Sequence, residues 1–171
     1  MAMKEAAGRA SLAVEQASTL GEALSEIARI LGEHRPIDRV SVRVLLPEGD
    51  LLEVAALWSR DRTALTPGMR MTALASSLPE VIKTGAPVVV EDSFKAGLAG
   101  TVLATEGISS WVTAPLNDGF RVRGLLSFSS KTSQAFRTSD RAFFGDFVAA
   151  VQMPLCTLLE ARNESEGADE V

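Results

Sequence analysis

The strongest constraint on the fold lies in residues 106–140. Glu106-Gly107-Ile108-Ser109-Ser110-Trp111-Val112-Thr113-Ala114-Pro115-Leu116 leads through Asn117-Asp118-Gly119-Phe120 into Arg121-Val122-Arg123-Gly124-Leu125-Leu126-Ser127-Phe128-Ser129-Ser130. Ala135-Phe136-Arg137-Thr138-Ser139-Asp140 follows shortly after. Apolar residues alternate with smaller or polar ones on both sides of Asn117-Asp118-Gly119, which is turn chemistry, so the stretch predicts two half-buried strands in a hairpin. Thr138 or Ser139, with an acid in the following turn, predicts the capped start of a helix. That helix runs through Phe143, Phe144, Phe147, Val148, Val151, Leu155, Leu158 and Leu159, and Pro154 should kink or break it.

A second hairpin is expected earlier. Val40, Val42, Val44 and Leu46 alternate with Ser41, Arg43 and Leu45, and Leu52, Val54, Ala56 and Trp58 alternate with Glu53, Ala55 and Leu57. Pro47-Glu48-Gly49 between them suits a three-residue loop. That register sets Arg43 opposite Glu53, a mildly favourable cross-strand pair. Upstream, Leu12, Val14, Leu20, Leu24, Ile27, Ile30 and Leu31 recur at spacings near three and four, predicting one amphipathic helix from Ala10 to Gly32. A short helix over Ser77–Lys83, a strand at Pro87–Val90 and a helical crossing over 94–106 complete the order. Antiparallel strands with segregated helices form an α+β sandwich. Residues 1–9 are expected to be a disordered lead, 10–162 the domain, and 163–171 an acidic disordered tail holding Glu164, Glu166, Asp169 and Glu170.

The order Gly-Ile-x-Ser, a strand ending in Pro-Leu, a turn, Gly-x-Leu-x-Phe and Phe-x-x-x-Asp resembles the closing half of a GAF domain. The resemblance spans about residues 10–160. It implies a GAF-like (profilin- or PAS-like) antiparallel sheet of five to six strands, with N- and C-terminal helices on one face and crossing segments over the other. It implies a regulatory, small-molecule-sensing domain of a bacterial signalling protein, nearest to those of sensor histidine kinases and enhancer-binding transcription activators, with no catalysis of its own. The alternative is a ligand-free dimerisation or interaction module.

Strand parity sorts the sheet into two faces. One gathers Val40, Val42, Val44, Leu52, Val54, Ala56, Trp58, Val112, Ala114, Val122, Leu126 and Phe128, and should carry the terminal helices. The other gathers Ser41, Arg43, Leu45, Glu53, Ala55, Leu57, Trp111, Thr113, Arg123, Leu125 and Ser127. In GAF domains this mixed face is the ligand face, and an apolar pocket with a few convergent polar groups is what a small-molecule site needs; a partly solvated sheet shows the same mixture without a ligand.

The candidate contacts are Trp111, Thr113, Ser127, Arg70, Asp92 and Trp58. Trp111 offers a ring for stacking, or is a core-edge aromatic. Arg70 is a cation for an anionic ligand. Asp92 stands where the resemblance puts an acid at the pocket mouth, and equally suits a turn. Trp58 ends its strand, although its parity favours the other face. Arg43 is assigned to Glu53.

Composition removes several classes. The net charge of −5, part of it in the C-terminal acids, argues against a nucleic-acid groove. One cysteine, Cys156, and one histidine, His34, rule out an internal disulfide and a Cys-rich metal site, and leave no histidine dyad. By resemblance, bilin attachment and the free methionine-(R)-sulfoxide reductase cycle need cysteines that have no counterpart here, and the Asn-Lys-Phe-Asp-Glu signature of cyclic-nucleotide members is not traceable. No cofactor is expected. No run reaches the roughly 20 apolar residues of a membrane span, and a cytoplasmic location is expected. A homodimer is expected through Leu12, Leu20, Leu24, Phe147, Val151, Leu155 and Leu158.

Overall fold

The computed structural model describes residues 2–95 and 106–169. The expected crossing over 94–106 therefore falls largely outside the described residues. The order is α1 (Ala2–Gln16), α2 (Leu20–Gly32), β1 (Arg39–Leu45), β2 (Leu51–Ser59), β3 (Arg70–Thr72), α3 (Leu78–Thr84), β4 (Val88–Val90), β5 (Ser110–Asn117), β6 (Val122–Ser130) and α4 (Arg141–Asp169). The strands form one antiparallel sheet in the order β3-β2-β1-β6-β5-β4. β1 and β6 lie at its centre and β3 and β4 at its edges.

The main core lies between the sheet and α1, α2 and α4. Val40, Val42, Val112, Ala114, Leu126 and Phe128 come up from the strands, and Leu24, Ile27, Leu31, Phe144, Phe147, Val151 and Leu155 come down from the helices. Phe128 is its hub, with ring centroids 5.3 Å from Phe144 and 5.9 Å from Phe147, the latter edge-on. A smaller cluster on the opposite face packs α3 residues Leu78 and Val81 with Ala73 onto Leu52, Val88 and Leu125.

The second hairpin forms as its turn chemistry predicts. Asn117 Oδ1 accepts from the Gly119 amide at 2.8 Å, and Asp118 Oδ1 accepts from the amides of Phe120 and Arg121 at 2.9 and 3.0 Å. Gly119 sits at φ 98°, a conformation glycine adopts without strain. The start of α4 is preceded by a 3₁₀ turn at Thr138–Asp140, with Asp140 Oδ2 accepting from the Arg137 amide at 2.9 Å.

Several expectations are corrected. The expected single first helix is two. Ser18-Thr19 interrupts it, because Thr19 Oγ1 accepts from the Glu22 amide at 3.2 Å and Glu22 reaches back to the Ser18 amide at 2.9 Å, a reciprocal cap. The lead, expected to be disordered, is helical from Ala2. Ala6, Ala10 and Val14 recur at intervals of four and are buried, and Arg9 holds Glu33 through two bonds of 2.8 and 3.0 Å. The tail, also expected to be disordered, is helical through Asp169. α4 continues past Pro154, with Leu155 and Leu159 on the far side of the proline fully buried. By length and hydropathy Thr138–Asn163 does qualify as a membrane span, with a mean hydropathy of 1.6, contrary to the reading of the sequence. Its Phe144, Phe147, Val151 and Leu155 face the sheet instead.

The first hairpin has a different register. The Leu46 amide bonds to Leu51 O, so the loop is Pro47–Asp50 rather than three residues, and Leu45 faces Leu52. A bulge then leaves Ala55 without a direct partner, between the Val42–Ala56 and Arg43–Val54 pairs. The extra loop residue reverses the expected faces of Leu52–Val54, and the bulge restores them from Ala56 to Trp58. Leu52 joins the small cluster, and Glu53 turns to the helix side, where it meets Arg70 at 3.3 Å and Arg162 at 3.8 Å. Arg43 does not pair with Glu53.

Candidate functional site

The mixed face is a polar floor laid across the three central strands. On β1, Arg39, Ser41 and Arg43 share one parity. Ser41 faces Ser127 on β6, and Ser127 faces Thr113 on β5; one step along, Arg39 faces Ser129, which faces Trp111. Ser41, Thr113, Ser127 and Ser129 are all buried.

Hydrogen bonds link the centre of this floor. Arg43 Nη2 donates to Ser127 Oγ at 3.0 Å, and Ser127 Oγ lies 3.0 Å from Thr113 Oγ1. Ser127 Oγ accepts from the guanidinium, and either hydroxyl of the Ser127–Thr113 pair can donate to the other, so a Thr113 that donates leaves the Ser127 proton free. Arg43 Nη1 points at Met71 Sδ, 3.6 Å away, and Arg43 Nε is sealed from solvent with no partner. Arg43 thus meets only neutral acceptors, and among the described residues no carboxylate pairs with it. Burial lowers its pKa from the ordinary guanidinium value to about 10, helped by repulsion from Arg39. It remains a cation at neutral pH.

Arg39 closes one end of the floor. It is buried and bonds Glu106, and its Nη1 also lies 3.4 Å from Thr63 Oγ1. It borders a cavity of about 200 Å³ reached between Ser59, Thr63 and Glu106. A larger open groove, about 710 Å³, runs along edge strand β4 between Ser77 and Pro79 on one side and Thr138 and Arg141 on the other, with Trp111 at its base.

Three of the six expected contacts come together here: Trp111, Thr113 and Ser127. Trp111 is only 1% exposed and faces Val90 and Ser129, so it forms part of the floor rather than an open stacking surface. Asp92 lies at the β4 groove, where its Oδ1 accepts from the Phe94 amide at 3.0 Å, a turn role. Trp58 does not join the site. It faces Val40 and packs on the helix-side core. Arg70 does not join it either, because it is paired with Glu53 across the sheet edge on the helix side. Arg123, read as a mixed-face residue, is held by Asp118 at 3.2 Å and Glu160 at 3.5 Å. The residue that sequence reasoning missed is Arg43. Its parity matched Thr113 and Ser127, but the assumed hairpin register gave it Glu53 as a counter-ion.

The remaining reactive side chains lie elsewhere. Cys156 is buried on α4, and burial raises its thiol pKa. His34 lies beyond α2, with its Nε2 buried and unpartnered. Among the described residues there is no group of three side chains placed to hold a metal ion.

Comparison with known proteins agrees with this architecture. The sequence model of the GAF domain matches residues 19–153. Among curated proteins no sequence matches. Among solved structures, the chain is similar to a free methionine-R-sulfoxide reductase from Neisseria meningitidis in complex with its substrate, with TM-score 0.72 and 18% identity over 93% of this chain and 91% of that one. It is similar to the GAF domain of an Acinetobacter phosphoenolpyruvate-protein phosphotransferase, with TM-score 0.68 and 14% identity over 94% and 97%. It is also similar to the chromophore-binding domain of a bacteriophytochrome from R. palustris, with TM-score 0.70 and 11% identity, covering 93% of this chain but only 62% of that one. At these identities the likeness is one of fold.

Proposed function

The chain belongs to the GAF domain family, and we propose that it is a ligand-responsive regulatory domain of a bacterial signalling protein, working in the cytoplasm, whose small-molecule site is the mixed face of the sheet. The observation that carries this reading is the Arg43–Ser127–Thr113 chain, two buried hydroxyls bonded to a cation that has no acid beside it among the described residues. Such groups cost folding free energy when they serve only packing, and a binding site is where that cost has a use. Among the described residues the site has no nucleophile with an adjacent base, and its groups suit holding a ligand rather than transforming it. A ligand there touches β1, β5 and β6, the same strands whose opposite faces support the helices, so its binding free energy can bias helix packing. Thermal unfolding of the chain across a metabolite panel tests the reading. A true ligand raises apparent stability with its concentration and changes tryptophan emission. A panel in which nothing does so contradicts it.

The second reading, a dimerisation module, draws support from Leu12 on α1 and Met153 on α4, both more than half exposed on helices that pack together. Of the residues expected to form that interface, Leu20, Leu24, Phe147, Val151 and Leu155 are buried in the chain's own core and Leu158 packs beside it. Any interface would therefore centre on Leu12. Sedimentation at rising protein concentration distinguishes the two readings.

A further inference from the structure

Arg43 and Arg39 stand two positions either side of Ser41 on one strand, and their charges repel. Arg39 has a counter-ion in Glu106, and Arg43 has none among the described residues. A guanidinium carries five N–H donors in a planar fork that matches a carboxylate. At Arg43 a serine hydroxyl and a thioether take up two of its ends, both neutral acceptors, and Nε is left over. The local charge deficit is therefore one negative charge. A dianion such as phosphate would bring a second charge that only the already paired Arg39 could meet, and burying an unmatched charge is costly. Beside the guanidinium on the same face, Leu45, Leu57 and Met71 remain partly exposed, an apolar wall within reach of whatever the cation holds.

Resting on the reading of the mixed face as a ligand site, we infer that this site selects an organic monocarboxylate, its carboxylate taken by Arg43 and Ser127 and its apolar body laid against Leu45, Leu57 and Met71. Arg43 is then the specificity-determining residue. Thr113 orients the Ser127 hydroxyl from behind.

The test uses the full 171-residue chain. Straight-chain monocarboxylates from acetate to hexanoate are compared with their primary amides and with inorganic phosphate at constant ionic strength, reading thermal unfolding and tryptophan emission. The carboxylates should stabilise the chain increasingly with length, while the amides and phosphate should not. Arg43→Met should weaken carboxylate binding by about thirtyfold or more, the scale for removing one member of a desolvated charge pair, and Arg43→Lys should restore part of it. Equal responses to carboxylates and amides, silence of the whole carboxylate series, preference for phosphate, or undiminished binding in Arg43→Met would each overturn the inference. Should Arg43→Met fail to fold, the carboxylate–amide comparison on the unaltered chain decides alone. An uncharged metabolite whose stabilising effect is lost in Thr113→Val would overturn the carboxylate inference while leaving the sensor reading standing.

Discussion

Gly124 on β6 lies so close to Arg43 on β1 that a side chain there would run into the Arg43 carbonyl. A Cβ built on Gly124 would overlap the Arg43 carbonyl oxygen and stand 3.1 Å from Val44 Cα. The two central strands meet at a place where only glycine fits, and that place sets the backbone from which the Arg43 guanidinium reaches the floor of the site. By strand parity a side chain at 124 points to the helix layer, but its nearer obstacle is the neighbouring strand.

Gly124→Val should therefore destabilise the fold by at least about 1–3 kcal/mol, since the overpacked partner is backbone and cannot rotate away. Urea denaturation with an unchanged midpoint would show that β1 and β6 can separate at Arg43 without loss. Gly124→Ala should weaken ligand response as well as stability, because it displaces Arg43.

Trp111 and Trp58 should behave as distinct reporters. Trp111 is sealed in the floor, so acrylamide should quench it poorly, whereas partly buried Trp58 should quench more strongly. Trp111→Ala should cost about 3–5 kcal/mol of stability as a buried aromatic truncation, which makes Trp111→Phe the variant for binding work. Strong quenching that survives Trp58→Phe would mean that Trp111 is open.

Arg43 gives a pH signature of known sign. Its folded pKa is lowered, so the folded state binds this proton more weakly than the unfolded state does. The resulting penalty is fully present below about pH 10 and is relieved as pH rises from there toward the ordinary guanidinium range. The stability of the unaltered chain relative to Arg43→Met should rise across that window. At pH 7, Arg43→Met should be neutral or stabilising by about 1 kcal/mol, as when a buried charge is replaced by a well-packed apolar group. A marked loss at pH 7 would mean that the cation has a structural counter-ion.

Acid should loosen α1 first. The Arg9 guanidinium holds the Glu33 carboxyl below its ordinary pKa, so this contribution is present above that value and is lost as pH falls through the lowered one. Glu33→Gln should flatten that part of the acid limb. Hydrogen exchange in α1 that ignores pH between 5 and 3 would contradict the link.

Leu155→Ala should cost about 2–5 kcal/mol at every protein concentration, because Leu155 is buried within one chain. A loss that appears only on dilution would move Leu155 into an interface between copies.

Much of the fold was legible because local and global signals agreed. Asn117-Asp118-Gly119 specified its own turn, the alternation of β5 and β6 specified their faces except beside that turn, where a register shift sends Val122 to the mixed face and Arg123 toward Glu160, and Thr138–Asp140 specified where α4 begins. The exceptions have identifiable causes. A bulge is one extra residue, and Ala55 carries no sign that it will be the one left out. The four-residue loop, with its shift taken up at Ala55, exchanged the faces of Leu52 and Glu53, removed Arg43's expected partner and placed Arg70 away from the site. The break between α1 and α2 was readable in Thr19 and Glu22 but was hidden by apolar periodicity continuing across it. Trp111, Thr113 and Ser127 were found because they lie on strands whose register was right, and Arg43 was misassigned because it lies on the strand whose register was not.

The most direct test of the mixed-face site is an amide and indole chemical-shift map of the labelled chain, recorded with whichever compound stabilises it most. The site predicts the largest shifts at Thr113, Ser127 and the Trp111 indole, together with the Arg43 side chain, and only smaller ones along α1 and α4. Shifts concentrated around Leu12 and Met153, with the Thr113–Ser127 pair unmoved, would contradict it.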